Sequence, residues 1–146
     1  MSAARPLHTD AELRARVRAV GLRATRGRVR VYSHLLDSQT PRSHQDVVEA
    51  LADHSFDRAS VYRNLTDLTR VGLLRRFDVG DHVWRFEPAH RAAPVDEHAH
   101  FVCTDCGNVV CLPGIEVDVP IGAPVPAAVV RHQVEVQLRG VCDACS

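Results

Sequence analysis

The first half of the chain repeats apolar residues at helical spacing in four short stretches. Leu13, Val17 and Val20 follow Thr9-Asp10-Ala11-Glu12, a capping box in which the threonine hydroxyl accepts from the third helical amide while Glu12 reaches back to the cap. Gly21 supplies a stop. A second helix is predicted after Thr25, with Val29, Tyr32, Leu35 and Leu36 facing inward. Ser43 can cap a third carrying Val47, Val48 and Leu51, and Asp57 a fourth carrying Val61, Leu65 and Leu68 and ending at Gly72. The period then changes. Residues 73–77 and 83–86 read as two strands joined through Gly80-Asp81, with Val79 and His82 near the turn. Closely spaced helices followed by a hairpin predict a winged helix-turn-helix over residues 1–87.

Residues 88–97 have no periodicity and contain two prolines, which marks a linker. Beyond it, 98–103 and 108–112 read as strands, and 113–126 carries four prolines and no helical stripe. Val130, His132, Val134, Val136 and Leu138 alternate with polar residues, predicting a last strand with one buried face. The fold class expected is α+β: the winged helix plus a small α/β or mainly β dimerisation domain over 98–146. With the linker this second part has only about 59 residues, too few for a self-sufficient core, so a metal staple and a partner subunit are expected.

Charge divides the 146 residues unevenly. Residues 1–87 carry 15 Arg against 11 acids, whereas 88–146 carry 3 Arg against 7 acids, although the net charge is zero. The first part is suited to nucleic acid and the second to cations. Arg23, Arg26, Arg28 and Arg30 cluster around the start of the second helix. On the fourth helix, the apolar stripe leaves Arg58, Tyr62, Arg63, Asn64 and Asp67 on other faces, a mixture able to contact phosphates and base edges. No apolar run approaches the ~20 residues needed to span a membrane, and the arginine-rich N-terminus lacks the apolar segment of a secretory signal. A cytoplasmic protein is expected.

The densest chemistry lies in His98-Ala99-His100-Phe101-Val102-Cys103-Thr104-Asp105-Cys106-Gly107, answered by Cys142-Asp143-Ala144-Cys145. Two Cys-x-x-Cys pairs separated by 35 residues have the ligand number and local spacing of a closed tetrahedral zinc site. Two disulfides would suit a secreted chain, and a thioredoxin-like redox pair would leave the second pair unexplained. Cys103, Cys106, Cys142 and Cys145 are therefore read as structural Zn(II) ligands, with binding free energy acting as folding free energy. Cys111 is left over and reads as a small buried strand residue, although its thiolate would bias a metal site toward zinc.

The combination Ala59-Ser60-Val61-Tyr62-Arg63-Asn64-Leu65, Val71-Gly72-Leu73, His98-x-His100-Phe101-x-Cys103-x-x-Cys106-Gly107 and Gly140-Val141-Cys142-x-x-Cys145 resembles the ferric uptake regulator (Fur) family of bacterial metal-dependent repressors over nearly the whole chain. The resemblance implies a homodimer that binds a palindromic operator on double-stranded DNA when a hinge metal is present. The DNA-binding residues would be Arg23, Thr25, Arg28, Arg58, Ser60, Tyr62, Arg63 and Asn64. It further implies that Glu87, His98 and His100 are regulatory ligands, a set suited to Fe(II), Mn(II) or Zn(II). Metal held by both domains would set the spacing of two recognition helices, about 34 Å or a multiple.

Several positions leave the pattern. Thr40-Pro41-Arg42 stands where the family usually has its first hinge His, which makes His44 a replacement candidate and His82 a second. In place of the family's dimerisation helix between the cysteine pairs the sequence has the proline-rich segment, and a His common before the third Cys is Val134, with His132 two residues earlier. A peroxide sensor on the same fold is an alternative, although such sensors generally have Asp where Glu87 stands. From another class, a small zinc hydrolase could use Glu87, His98 and His100, but no His-Glu-x-x-His pair accompanies them.

Overall fold

The computed structural model describes residues 8–89 and 99–146. It divides into two compact units, 1–89 and 90–146.

The first unit begins with α1 (Asp10–Ala19), α2 (Arg26–Asp37), the two-residue strand β1 (Arg42–Ser43) and α3 (His44–Ala50). A single 3-10 turn (Ala52–His54), α4 (Arg58–Arg70), β2 (Leu74–Phe77) and β3 (Arg85–Pro88) complete it. The helix starts follow from local side-chain chemistry. Thr9 Oγ1 accepts from the Glu12 amide at 3.2 Å and Glu12 accepts from the Thr9 amide at 2.7 Å, closing the capping box. Thr25 and Asp57 cap α2 and α4, and Ser43 with Asp46 forms a second box at α3. Gly21 and Gly72, with φ of 84° and 80°, take the left-handed conformation just past α1 and α4, where a side chain would be strained.

The core of this unit comprises Leu13 and Val17 of α1, Val29, Val31, Tyr32, Leu35 and Leu36 of α2, Val47 and Leu51, Val61, Leu65 and Leu68 of α4, and Leu74 and Phe86 of the hairpin. Val61, Leu65 and Leu68 lie at i, i+4 and i+7, so α4 commits one face to the interior and leaves the opposite one exposed.

The hairpin departs from the sequence expectation. Its strands are 74–77 and 85–88, and Val83 and Trp84 belong to an exposed loop rather than to β3. Asp78 Oδ1 accepts from the Gly80 and His82 amides, and Asp81 Oδ1 accepts from the Val83 amide. These carboxylates satisfy the loop backbone locally and delay the strand ladder. The order β1-β3-β2 is antiparallel throughout, with Arg42 opposite Phe86 and Arg75 opposite Glu87.

The second unit is a three-stranded sheet in the order β5-β4-β6, built from β4 (Ala99–Cys103), β5 (Val109–Leu112) and β6 (Gln137–Gly140). β5 is antiparallel to β4 and β6 is parallel to it. The predicted strand over 130–138 is overturned. Residues 127–130 form α5 (Ala127–Val130), a single turn opened by Pro126, and Gln133 donates its amide to Ala128 at 2.8 Å. His132, at φ 54°, turns the chain, so extended structure begins only at Gln137. Leu138 is exposed rather than buried. Between the two cysteine pairs α5 is the sole helix, which agrees with the absence of a long helix expected from the prolines. Among the described residues no helix is long and apolar enough to cross a membrane.

Leu65 is fully enclosed at the centre of α4. Leu65→Ala is expected to cost about 2–5 kcal/mol of first-unit stability through lost burial and the residual cavity, read as a lower denaturation midpoint at unchanged m-value.

Candidate metal centres and nucleic-acid face

The parallel β4–β6 pairing sets Cys103 beside Gly140, and so brings the two cysteine pairs together. The Thr104 amide donates to Gly140 O at 2.8 Å. Gly107, at φ 71°, folds back to donate to Cys103 O at 3.0 Å, and Cys145 donates to Cys142 O at 2.9 Å. Each pair thus sits in a tight turn that brings its sulfurs toward those of the other pair. The four Sγ atoms lie within 4.8 Å of one another, and Cys106 Sγ and Cys142 Sγ are 3.9 Å apart. A disulfide would need about 2.05 Å. A tetrahedron with metal–sulfur bonds of about 2.3 Å has edges of about 3.8 Å, so the spacing fits coordination by one cation.

The electrostatics agree. The Cys103 thiol is drawn down to about 6, chiefly by the backbone amides of Cys106 and Cys142, whereas Cys145 is pushed up to about 12 by the thiols of Cys142 and Cys106. One thiolate is welcomed by the amides and further ones are opposed by their neighbours. A dication removes that opposition.

The expected regulatory ligands are each set in their own unit. Glu87 is buried in β3 and paired with Arg75 directly opposite on β2. His100 is buried in β4. His98 lies outside the described residues. His44 is engaged elsewhere: its Nε2 lies 2.8 Å from Arg58 O and its ring meets Tyr62 edge-on at 5.5 Å. His82 is 97% exposed beside Asp78. Neither joins a metal-ligand group among the described residues.

On the candidate nucleic-acid face, Arg58, Tyr62 and Arg63 are exposed along α4, with Ser60 half-buried, and Arg23 and Thr25 are exposed before α2. Asp57 receives the Ser60 amide at 2.6 Å and its hydroxyl at 3.1 Å, and Arg63 reaches Ser60 Oγ at 3.3 Å. These bonds order the first turn of α4 before any ligand arrives. Two expected contacts point inward instead. Arg28 pairs with Asp67 at 2.7 Å and donates to Arg23 O at 2.6 Å, bracing α2 against α4. Asn64 packs on Gly27, where an added Cβ would come within 3.1 Å of Asn64 Nδ2. The N-terminal arginine cluster is also dispersed: Arg26 lies over Phe56 and Arg30 reaches His54 at 2.7 Å.

Sequence reasoning passed over an exposed pair on the wing. The Arg76 guanidinium lies 4.4 Å from the Trp84 ring centroid, a cation–π contact between β2 and the loop before β3. The only signal was an aromatic next to a turn, which does not distinguish a strand residue from a loop residue.

Arg28→Ala is expected to lower stability by about 1–3 kcal/mol, because Asp67 loses a charge-assisted hydrogen bond. Arg63→Ala should leave stability nearly unchanged while weakening DNA binding. Parallel denaturation and binding titrations of the two variants separate the brace from the contact; equal loss of stability in both would contradict the assignment.

A model of the ferric uptake regulator family matches residues 19–121. The peroxide operon regulator of Bacillus subtilis is 28% identical over 134 residues, covering 89% of this chain and 88% of that protein. The ferric uptake regulation protein of Synechococcus elongatus is 29% identical over 149 aligned positions, covering 94% and 95%. Among solved structures, the Helicobacter pylori ferric uptake regulator, described as having three functional metal binding sites, aligns with a TM-score of 0.65 over 97% of this chain and 96% of its own, at 22% identity. That likeness establishes the fold. Family members are transcriptional regulators rather than enzymes, which removes the hydrolase alternative. With a family match over most of its length, a winged helix and a four-cysteine cluster, the chain belongs to the ferric uptake regulator family of metal-responsive, DNA-binding transcriptional regulators.

Proposed function

We propose that the protein is a homodimeric repressor that binds a palindromic operator when a regulatory metal is present, and so governs iron or zinc homeostasis. The observation that carries this reading is α4, a helix ordered by Asp57 and Ser60 that presents Arg58, Tyr62 and Arg63 outward while Arg28 holds it against α2. Arg58 and Arg63 suit phosphates or guanine edges, and Tyr62 offers both a ring and a hydroxyl. Ser60, Arg23 and Thr25 complete the face. Arg28 and Asn64 act by positioning.

Zinc(II) is assigned to Cys103, Cys106, Cys142 and Cys145, because four thiolates at tetrahedral spacing suit that ion and leave no open position for chemistry. Its role is structural. Glu87, His98 and His100 are assigned to the regulatory ion, which is Fe(II), Zn(II) or Mn(II). A ligand of this kind can switch DNA affinity only through differential binding, and a 1:99 to 99:1 change requires about 5.5 kcal/mol.

A second reading, peroxide sensing, is favoured by the similarity to the Bacillus subtilis peroxide operon regulator. It predicts that peroxide abolishes operator binding by the iron-loaded protein and adds one oxygen to a histidine, visible by peptide mass. Unchanged mass and binding would discard it.

Operator affinity is expected to rise steeply when the chelated protein, still holding its structural zinc, is reloaded with metal. His98→Ala should lower metal content below wild type before any loss of fold. Equal stoichiometry in wild type and the His98/His100 double alanine variant would remove the hinge assignment, and equal operator affinity with and without metal would remove the regulatory reading.

A further inference from the structure

The second unit sets a thiol beside the buried imidazole of its sheet. His100 and Cys111 are direct partners across the antiparallel β4–β5 ladder. Side chains opposite one another in such a ladder share a face of the sheet, with Cβ atoms about 4.5–5.5 Å apart. An imidazole nitrogen of His100 and Cys111 Sγ lie within 4.8 Å of one another. His100 is 4% exposed and Cys111 is half-buried, and the next pair on that face is Val102 with Val109, both buried. The two donors therefore converge at the edge of an apolar wall.

This thiol is separate from the structural cluster. Cys103 lies three residues beyond His100 and so projects to the opposite face, and Cys111 is not one of the four grouped sulfurs. Nor does it sit as a small core hydrophobe, since its cross-strand neighbour is an imidazole.

We propose that Cys111 is a direct ligand of the regulatory metal, joining His100, and that its thiolate makes this centre select zinc over manganese and ferrous iron. The inference rests on the regulatory-metal reading above. Thiolate is a soft donor that suits zinc, whereas carboxylates and waters suit manganese, and imidazole accepts all three ions. Coordination exchanges the Cys111 proton for the metal, so one proton leaves as the sulfur–metal bond forms.

The test uses the full-length protein with its four-cysteine metal retained, titrated with cobalt(II) and followed by absorption. The first cobalt taken up beyond the structural equivalent should bring near-ultraviolet sulfur-to-cobalt charge transfer in the wild type. Cys111→Ser should still bind cobalt but without that band. Losing a direct ligand should weaken zinc binding at least as much as losing an outer partner does, about tenfold. Cys111→Asp should shift the zinc-to-manganese preference toward manganese. Uptake by the wild type with no charge transfer overturns the Cys111 assignment and leaves the regulatory site standing. No uptake beyond the structural equivalent overturns both. The wild-type spectrum decides between these outcomes whether or not the variants fold.

Discussion

Four sulfurs at the end of β4 and beyond β6 converge in a unit that has little other core. In the second unit the buried apolar residues among those described are Ala99, Val102, Cys103 and Val109, whereas the fourteen-residue core cluster lies wholly in the first. Three short strands with so small a core are marginal in water. The knuckle at Gly107 and the turn at Cys145 aim the sulfurs at one point, and the Thr104–Gly140 bond ties one turn to the other. Metal binding free energy at such a point is conformational free energy for the sheet, and hence for the register that pairs His100 with Cys111.

The first unit solves its problem by burial. Because α4 turns Val61, Leu65 and Leu68 inward, the residues between them must face away, and the helix has no freedom to roll without exposing the stripe. The Arg28–Asp67 bridge and the close approach of Asn64 to Gly27 fix its position against α2. Arg63 is then presented from a helix whose first turn is already hydrogen-bonded, which would reduce the ordering cost of a contact made there.

Much of this was legible in the sequence where the cause is local. Capping boxes, helical stripes and glycine stops depend on residues a few positions apart, and Thr9–Glu12, Asp57–Ser60 and Gly72 are all as expected. The Cys-x-x-Cys pairs were readable because each turn is a local motif. Long-range partnership was not. Nothing around Arg28 reveals Asp67, 39 residues away, so its ion pair could not be foreseen. Alternation over 130–138 matched a strand, but Pro126 and the turn at His132 prevailed, because a strand needs a partner as well as a pattern. The value of Cys111 lay in a register that only the folded sheet defines.

The buried ion pair between Glu87 and Arg75 gives the first unit a resident counter-cation at the carboxylate assigned to metal. A guanidinium there means that the carboxylate already has company before a metal ion arrives. Any ion that coordinates Glu87 competes with an internal cation whose concentration never falls, so the affinity observed is the difference between two attractions rather than the strength of one. Such an arrangement would act as a threshold, turning away weakly held ions that a bare carboxylate would accept.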